Sequence, residues 1–257
     1  MVDTTTDQSL TLVDMTTKAP GKVALVTGAN KGIGKAIVRG LARDGFIVYL
    51  GARSSERGRA AADELKADGA VRFVPLDVLD SASVQAAAQT IESEAGRLDV
   101  LVNNAGIGWA PGARFRNPAE EIAEDMRTVY ETNVFAVVRV TNAFMPLLLR
   151  SEAGRIVNLT SRRGSIGEEG AWVGKPYMPY STSKTALNAL TVHYARSLAE
   201  TSIKVNGAAP GHVATDLNAF RGPRTPEQGA AVAIRLAQLD GDGPTGLVFE
   251  DETQLKW

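Results

Sequence analysis

The sequence predicts a doubly wound α/β domain, a parallel sheet of about seven strands with helices on both faces. Three observations carry that prediction. Short runs of β-branched and aliphatic residues recur along the chain and are apolar throughout, as strands buried on both faces must be. Stretches of helical periodicity separate them. The residues that follow the runs are mostly glycine, asparagine, aspartate, serine or proline, which mark turns. Strand and helix alternating through a whole chain require crossover connections, and these lay helices on both faces of one parallel sheet. No linker, internal repeat or shift of composition divides residues 21–257, which are expected to form a single domain. Residues 1–20, rich in Thr and Asp and without a sustained period, are expected to be a flexible extension. Its short Leu10-Thr-Leu-Val13 run would otherwise serve as an edge strand or a partner contact.

The elements follow in order. Val23 to Val26 is the first strand, and Gly28, Gly32 and Gly34 turn the chain into a helix on which Ile33, Ile37, Val38 and Leu41 recur at helical spacing. A glycine turn between strand and helix lets backbone approach an anion closely, with the free N–H groups of the first helical turn aimed at it. Gly45 ends that helix, Phe46 to Leu50 is the second strand, and Ser54 or Ser55 can cap a helix from Glu56 to Ala67. Val71 to Val74 is the third strand, and Ser81 caps a helix running to Ala95. Leu98 to Val102 is the fourth, with Asn103-Asn104-Ala105-Gly106 at its end. Helical pattern then extends from Pro118 to Arg150, with Pro146 expected to kink or end it. Arg155 to Leu159 is the fifth strand, leading to Ser161, and residues 162–179 read as a Gly- and Pro-rich loop. A helix from Tyr180 to Glu200, a sixth strand from Ile203 to Asn206, a helix from Pro226 to Leu239 and a seventh strand from Gly246 to Phe249 complete the chain.

Composition narrows the function. The 257 residues carry 28 Lys and Arg against 29 Asp and Glu, so no broad basic field marks nucleic acid or an anionic membrane as the main partner. There is no cysteine, which excludes disulfides, thiol catalysis and cysteine–zinc sites. No apolar run reaches membrane-spanning length and no basic-then-apolar leader opens the chain, so a soluble cytoplasmic protein is expected.

In a doubly wound sheet the ligand lies beyond the carboxyl ends of the strands. The chemically distinctive residues fall there: the glycine turn, Arg53, Asp77, Asn103-Asn104, Ser161 and Pro210-Gly211. Each is also an ordinary turn residue, but six consecutive strand ends of this character are hard to explain by turns alone. Tyr180 and Lys184, four apart on a helix, share one face. A cation beside a phenol favours the phenolate, which predicts a lowered Tyr180 pKa and an acid/base role. By itself such a pair more often marks a solvated helix face with a snorkelling lysine.

Together these motifs resemble the short-chain dehydrogenase/reductase family, and within it the NADP-dependent carbonyl reductases. The resemblance runs from about Lys22 onward through Thr27-Gly28-x3-Gly32-Ile33-Gly34, Asn103-Asn104-Ala105-Gly106, Ser161, Tyr180-x3-Lys184 and Pro210-Gly211 with Thr215. It implies a single-domain Rossmann-type fold and hydride transfer between a nicotinamide cofactor and a carbonyl or alcohol substrate. By the same resemblance Tyr180 protonates the carbonyl oxygen, Ser161 hydrogen-bonds it, and Lys184 lowers the Tyr180 pKa and binds the nicotinamide ribose. Asn133 is the implied proton-relay asparagine. Gly28, Asn30, Lys31, Gly32, Ile33 and Gly34 would form the phosphate turn. Asp77 and Val78 would face the adenine; Asn104, Ala105 and Gly106 would line the adenosine side; and Pro210, Gly211, Val213 and Thr215 would reach the nicotinamide end. No metal is implied.

The cofactor expected is NADP(H). An NAD-selective site places an acid after the second strand, whereas an arginine accommodates a 2′-phosphate. Here Arg53 stands at that strand end without an acid, and Lys31 in the turn adds a second cation. The expected substrate is a small carbonyl or alcohol, apolar or aromatic, held by Gly108-Trp109, the 162–179 loop with Trp172 and Met178, and the segment after Thr215 with Phe220. The alternatives are a 3-oxoacyl-thioester (acyl carrier) reductase, for which Arg162 and Arg163 would supply a basic patch, and a non-catalytic NADP-sensing regulator, against which the intact Ser161, Tyr180 and Lys184 argue. A homo-oligomer, dimer or tetramer, is expected. His193 reads as packing or surface, and His212 as either a loop residue or a substrate contact.

Overall fold

The computed structural model describes residues 21–257; the expectations for residues 1–20 lie outside the described residues. Strands β1 (Val23–Thr27), β2 (Ile47–Ala52), β3 (Val71–Pro75), β4 (Val100–Asn103), β5 (Arg155–Leu159), β6 (Lys204–Ala209) and β7 (Val248–Glu250) are parallel, and β8 (Thr253–Gln254) turns back antiparallel on β7. Helices α1 (Gly32–Arg43), α2 (Ser55–Leu65), α3 (Ser81–Ala95), α4 (Ala123–Tyr130), α5 (Ala136–Leu148), α6 (Met178–Ser197) and α7 (Pro226–Ala237) fill the crossovers. The strand order is 3-2-1-4-5-6-7-8, so the chain winds outward in both directions from the β1–β4 junction. That junction is the switch point at which a crevice opens above the strand ends.

Side-chain alternation along β1 shows how both faces are filled. Ala24 and Val26 join the core under α1, α2 and α7, while Val23 and Leu25 join the core under α3, α5 and α6. All five β1 residues are buried, which explains the unbroken apolar run. A buried polar ladder crosses the second layer. Asn103 Nδ2 donates to Thr141 Oγ1 at 3.1 Å and to Asn158 Oδ1 at 2.9 Å, and Asn158 Nδ2 donates to Thr191 Oγ1 at 2.9 Å. Such a network is favourable only when its members find their partners, and here it ties β4, β5, α5 and α6 into one register.

The structure departs from expectation locally. The cap of α3 is Asp80, whose carboxylate accepts from Ala82 N at 2.9 Å, rather than Ser81. The 118–150 stretch opens with a 3₁₀ turn and passes through a π-helical turn, Glu131–Phe135, between α4 and α5. Pro146 lies inside α5, two residues from its end. The 162–179 segment holds two 3₁₀ turns, and α6 begins at Met178. The eighth strand has only two residues, too few for a pattern to show in the sequence.

Candidate active site

The glycine turn is shaped by close approach. Gly28 and Gly32 take φ of 62° and 54°, which side chains rarely adopt. A Cβ on Gly28 would lie 3.0 Å from Ala105 Cα, and one on Gly34 would collide with the Asn104 amide and stand 2.9 Å from Ala29 Cα. The turn is thus pressed against the end of β4. Thr27 joins the two, its Oγ1 accepting from the N–H groups of Asn104 and Ala105, each at 3.0 Å. Asn104 Nδ2 donates back to the Thr27 and Gly28 carbonyls at 2.8 and 3.2 Å. Lys31 at the N-cap of α1 places no side-chain acceptor on the first-turn N–H groups, so these donors stay open to an anion. A cradle that a Cβ would fill, with open donors, fits a dinucleotide phosphate.

Arg53 and Asp77 follow β2 and β3 on the same side. Arg53 is exposed and has no ion-pair partner among the described residues. Asp77 Oδ1 accepts from Leu79 N at 3.0 Å, an Asx turn that holds the carboxyl at the strand end. Val78 lines a small crevice with Thr27, Asn103, Ala105 and Thr132. From the far side, Gly211 takes a φ of 73° and Val213 is buried. Thr215 then reaches across, its Cγ2 3.5 Å from where a Cβ on Gly32 would be. Lys31, expected to face a phosphate, is paired with Asp216 at 3.0 Å; both side chains are half exposed.

Asn133 is fully buried in the π turn, a distortion that often marks function. Its Oδ1 accepts from Ile107 N at 2.9 Å, while its Nδ2 donates to Ile107 O at 2.9 Å and to Ser183 Oγ at 3.0 Å. It therefore locks the Asn104–Ile107 segment to the α6 turn bearing Tyr180 and Lys184. A Cβ on Gly106 would lie 3.2 Å from Asn133 Oδ1 and 3.6 Å from Lys184 Nζ. Ser161 caps the short 162–164 turn, with its Oγ accepting from Arg163 N at 3.2 Å. The Tyr180 phenol lies close enough to Ser161 for the serine hydroxyl to favour its ionised form.

The electrostatics correct one expectation. Burial is the largest influence on Tyr180 and pushes its pKa above the usual tyrosine value, with the Ser161 hydroxyl and the Arg163 charge pulling the other way. Lys184 does not lower it. Its Nζ donates to the Leu159 carbonyl at 2.7 Å and sits over the Tyr180 ring, 5.7 Å from its centroid. Burial instead brings the Lys184 pKa from 10.5 to about 8.

The wall beside Tyr180 is aromatic and cationic. Tyr177 meets Trp109 and Phe115 edge-on at 4.9 and 5.4 Å between centroids. Arg163 lies over the Tyr177 ring at 5.1 Å and Lys175 over Phe115 at 4.8 Å. Trp109 thus lies in the wall, while Trp172 and Phe220 are 84% and 65% exposed. His193 and His212 are exposed. Sequence reasoning assigns no separate role at the site to Thr27, Tyr177 or Ser183. Tyr177, one helical turn before Tyr180, is the most discoverable of them. Among the described residues no cluster of three or more His, Cys, Asp or Glu could hold a metal.

A doubly wound sheet with a glycine turn and distinctive residues at its switch point has the architecture of the α/β dinucleotide-binding proteins. The chain belongs, within that class, to the short chain dehydrogenase family, whose model matches residues 22–225. It is 35% identical to short-chain dehydrogenase/reductase 1 of Saponaria officinalis, over 90% of this chain and 94% of that protein. It is 34% identical to carbonyl reductase [NADPH] 1 of Sus scrofa, over 92% of this chain and 94% of the relative. Among solved structures, the RhlG/NADP active-site complex from Pseudomonas aeruginosa superposes with a TM-score of 0.79 at 31% identity, covering 90% of this chain and 95% of that one.

Proposed function

We propose that the protein is an NADPH-dependent carbonyl reductase, reversible as an alcohol dehydrogenase, working through Ser161, Tyr180 and Lys184. The observation that carries this reading is the meeting of the β4 end, the π turn and α6 around Gly106, Asn133 and Lys184, beside a glycine turn built for phosphate. The relatives named as NADPH carbonyl reductases support the cofactor, as does Arg53 standing at the β2 end without an acid.

NADPH supplies the hydride when bound; the chain supplies position and a proton. Ser161 hydrogen-bonds the substrate oxygen and holds it against Tyr180. Tyr180, kept protonated by burial, gives its proton to that oxygen as negative charge develops. Lys184, its ammonium held by the Leu159 carbonyl one turn along α6 from Tyr180, would bind the nicotinamide ribose. Asn133 fixes the backbone that separates the glycine turn from the reacting groups. Gly28, Gly32, Gly34 and the open N–H groups of α1 would take the pyrophosphate, and Arg53 with Lys31 the 2′-phosphate.

The test is a panel of ketones followed at the NADPH absorbance band. Tyr180→Phe should lower turnover by about 10²-fold or more while NADPH titration stays nearly unchanged, because only the proton donor is removed. Unchanged turnover in the variant would sink the mechanism.

A further inference from the structure

Two adjacent arginines follow Ser161, and the structure gives them different work. Arg162 is neutralised by Glu250, which accepts from its Nε and Nη2 at 2.9 and 2.8 Å. Arg163 has no carboxylate partner among the described residues. Its guanidinium has five N–H donors, and one of its Nη1 donors goes to the Lys175 carbonyl at 3.1 Å. The guanidinium carbon lies over the Tyr177 ring at 5.1 Å. A guanidinium held on a ring face keeps donors free at its edge, and that edge can receive a carboxylate in two-point fashion.

The location ties Arg163 to the reacting groups from both sides. Its own N–H donates to Ser161 Oγ at 3.2 Å. The ring it covers belongs to Tyr177, one helical turn from Tyr180 on α6. Its charge acts on the Tyr180 phenol, opposing the effect of burial. Lys175 adds a second cation on the same wall, over Phe115 at 4.8 Å. The nearby Glu168 accepts from Lys256 N at 2.7 Å and forms no ion pair with either cation. Two cations and three rings therefore gather at the start of α6, three residues before Tyr180, with no acid paired to the cations among the described residues.

We propose that Arg163, with Lys175 behind it, is the specificity-determining residue for oxo-acid substrates, in which a carboxylate sits next to the carbonyl and an apolar or aromatic body lies along Tyr177, Phe115 and Trp109. This deepens the carbonyl-reductase reading and rests on it for the reaction, though not for the anion site itself. It also weighs against an acyl-carrier reductase, because Arg162, one of the two arginines that would make the basic patch, is neutralised by Glu250.

Benzoylformate and ethyl benzoylformate test it, since they share one aryl ketone and differ in charge. Each would be reduced with NADPH by wild type, Arg163→Gln and Arg163→Lys, and benzoylformate binding to the enzyme–NADP⁺ complex would be measured by calorimetry, where no turnover occurs. The acid-over-ester ratio of kcat/KM should fall at least tenfold in Arg163→Gln and less in Arg163→Lys, through KM rather than kcat. Benzoylformate binding should weaken in parallel. A ratio equal in all three proteins, or a wild type that reduces the ester and does not bind the acid, overturns the proposal and leaves the reductase reading standing. Binding that depends on Arg163 with neither ketone reduced supports the anion site and overturns the reductase reading. Neither binding nor reduction overturns both.

Discussion

At Lys184 the needs of the fold and of the site conflict. Burial brings its pKa from 10.5 to about 8, so at neutral pH the folded chain carries a proton that its surroundings oppose. Below pH 8 both folded and unfolded chains hold that proton and the penalty is fully present. Between about 8 and 10.5 the unfolded chain binds it and the folded chain does not, so stability rises with pH across that window. Lys184→Met should therefore stabilise the protein at pH 7 by about 1–3 kcal/mol, after allowing for the lost bond to Leu159, while removing most turnover. Urea unfolding at pH 7 and pH 10 checks this. The gain should shrink at the higher pH, and a gain that ignores pH would show that packing rather than charge is responsible. Arg53 offers a residue-scale test of the cofactor. Arg53→Asp removes a cation from the 2′-phosphate and adds repulsion, which should weaken NADPH by at least about 2 kcal/mol, more than tenfold. NADH should lose far less. The ratio of kcat/KM for NADPH over NADH measures it, and a wild type that prefers NADH would remove Arg53 from the site.

At the scale of elements, the β1–α1 turn and the end of β4 form one unit. Gly34→Ala would drive a methyl into the Asn104 amide and to within 2.9 Å of Ala29 Cα, and backbone there has nowhere to retreat. We expect a loss of about 1–3 kcal/mol in stability and a larger proportional loss of NADPH binding, read by thermal melting and by titration. A variant that melts normally and binds normally would show that the turn is looser than its geometry implies. These elements are legible in the sequence because their constraints are local. Glycines at the turn, β-branched runs and the four-residue spacing of Tyr180 and Lys184 all act over short distances. The π turn at Glu131–Phe135 is not legible, since nothing in the local composition distinguishes it from α-helix; it exists where Asn133 reaches Ile107 and Ser183. The Tyr180 shift runs against the sequence expectation for a related reason. Spacing places Lys184 on the same helix face, but the Leu159 carbonyl, 25 residues away in sequence, decides where the ammonium goes.

At the scale of the molecule, the distinctive residues stand at the carboxyl ends of six parallel strands, so a ligand bound across them should hold the sheet together. NADPH at about one hundred times its Kd should add roughly 2.7 kcal/mol to the unfolding free energy and raise the melting temperature by a few degrees. NADH at the same concentration should raise it less. Equal shifts would mean that the 2′-phosphate goes unread. The family resemblance also leads us to expect a dimer or tetramer, which light scattering at working concentration would show.

The Lys31–Asp216 ion pair, 3.0 Å long and half exposed, should give cofactor binding a distinctive dependence on ionic strength. If Lys31 is to hold the 2′-phosphate, it must exchange one anionic partner for another, so the net increase in charge pairing on binding is smaller than the bound state alone implies. Salt screens the pair given up as well as the one formed. NADPH affinity should accordingly fall more gently with added salt in wild type than in Asp216→Asn, where Lys31 starts without that partner. The variant should bind NADPH more tightly at low salt and converge on wild type as salt is raised. Parallel salt curves would show that Lys31 keeps Asp216 throughout and leaves the phosphate to Arg53.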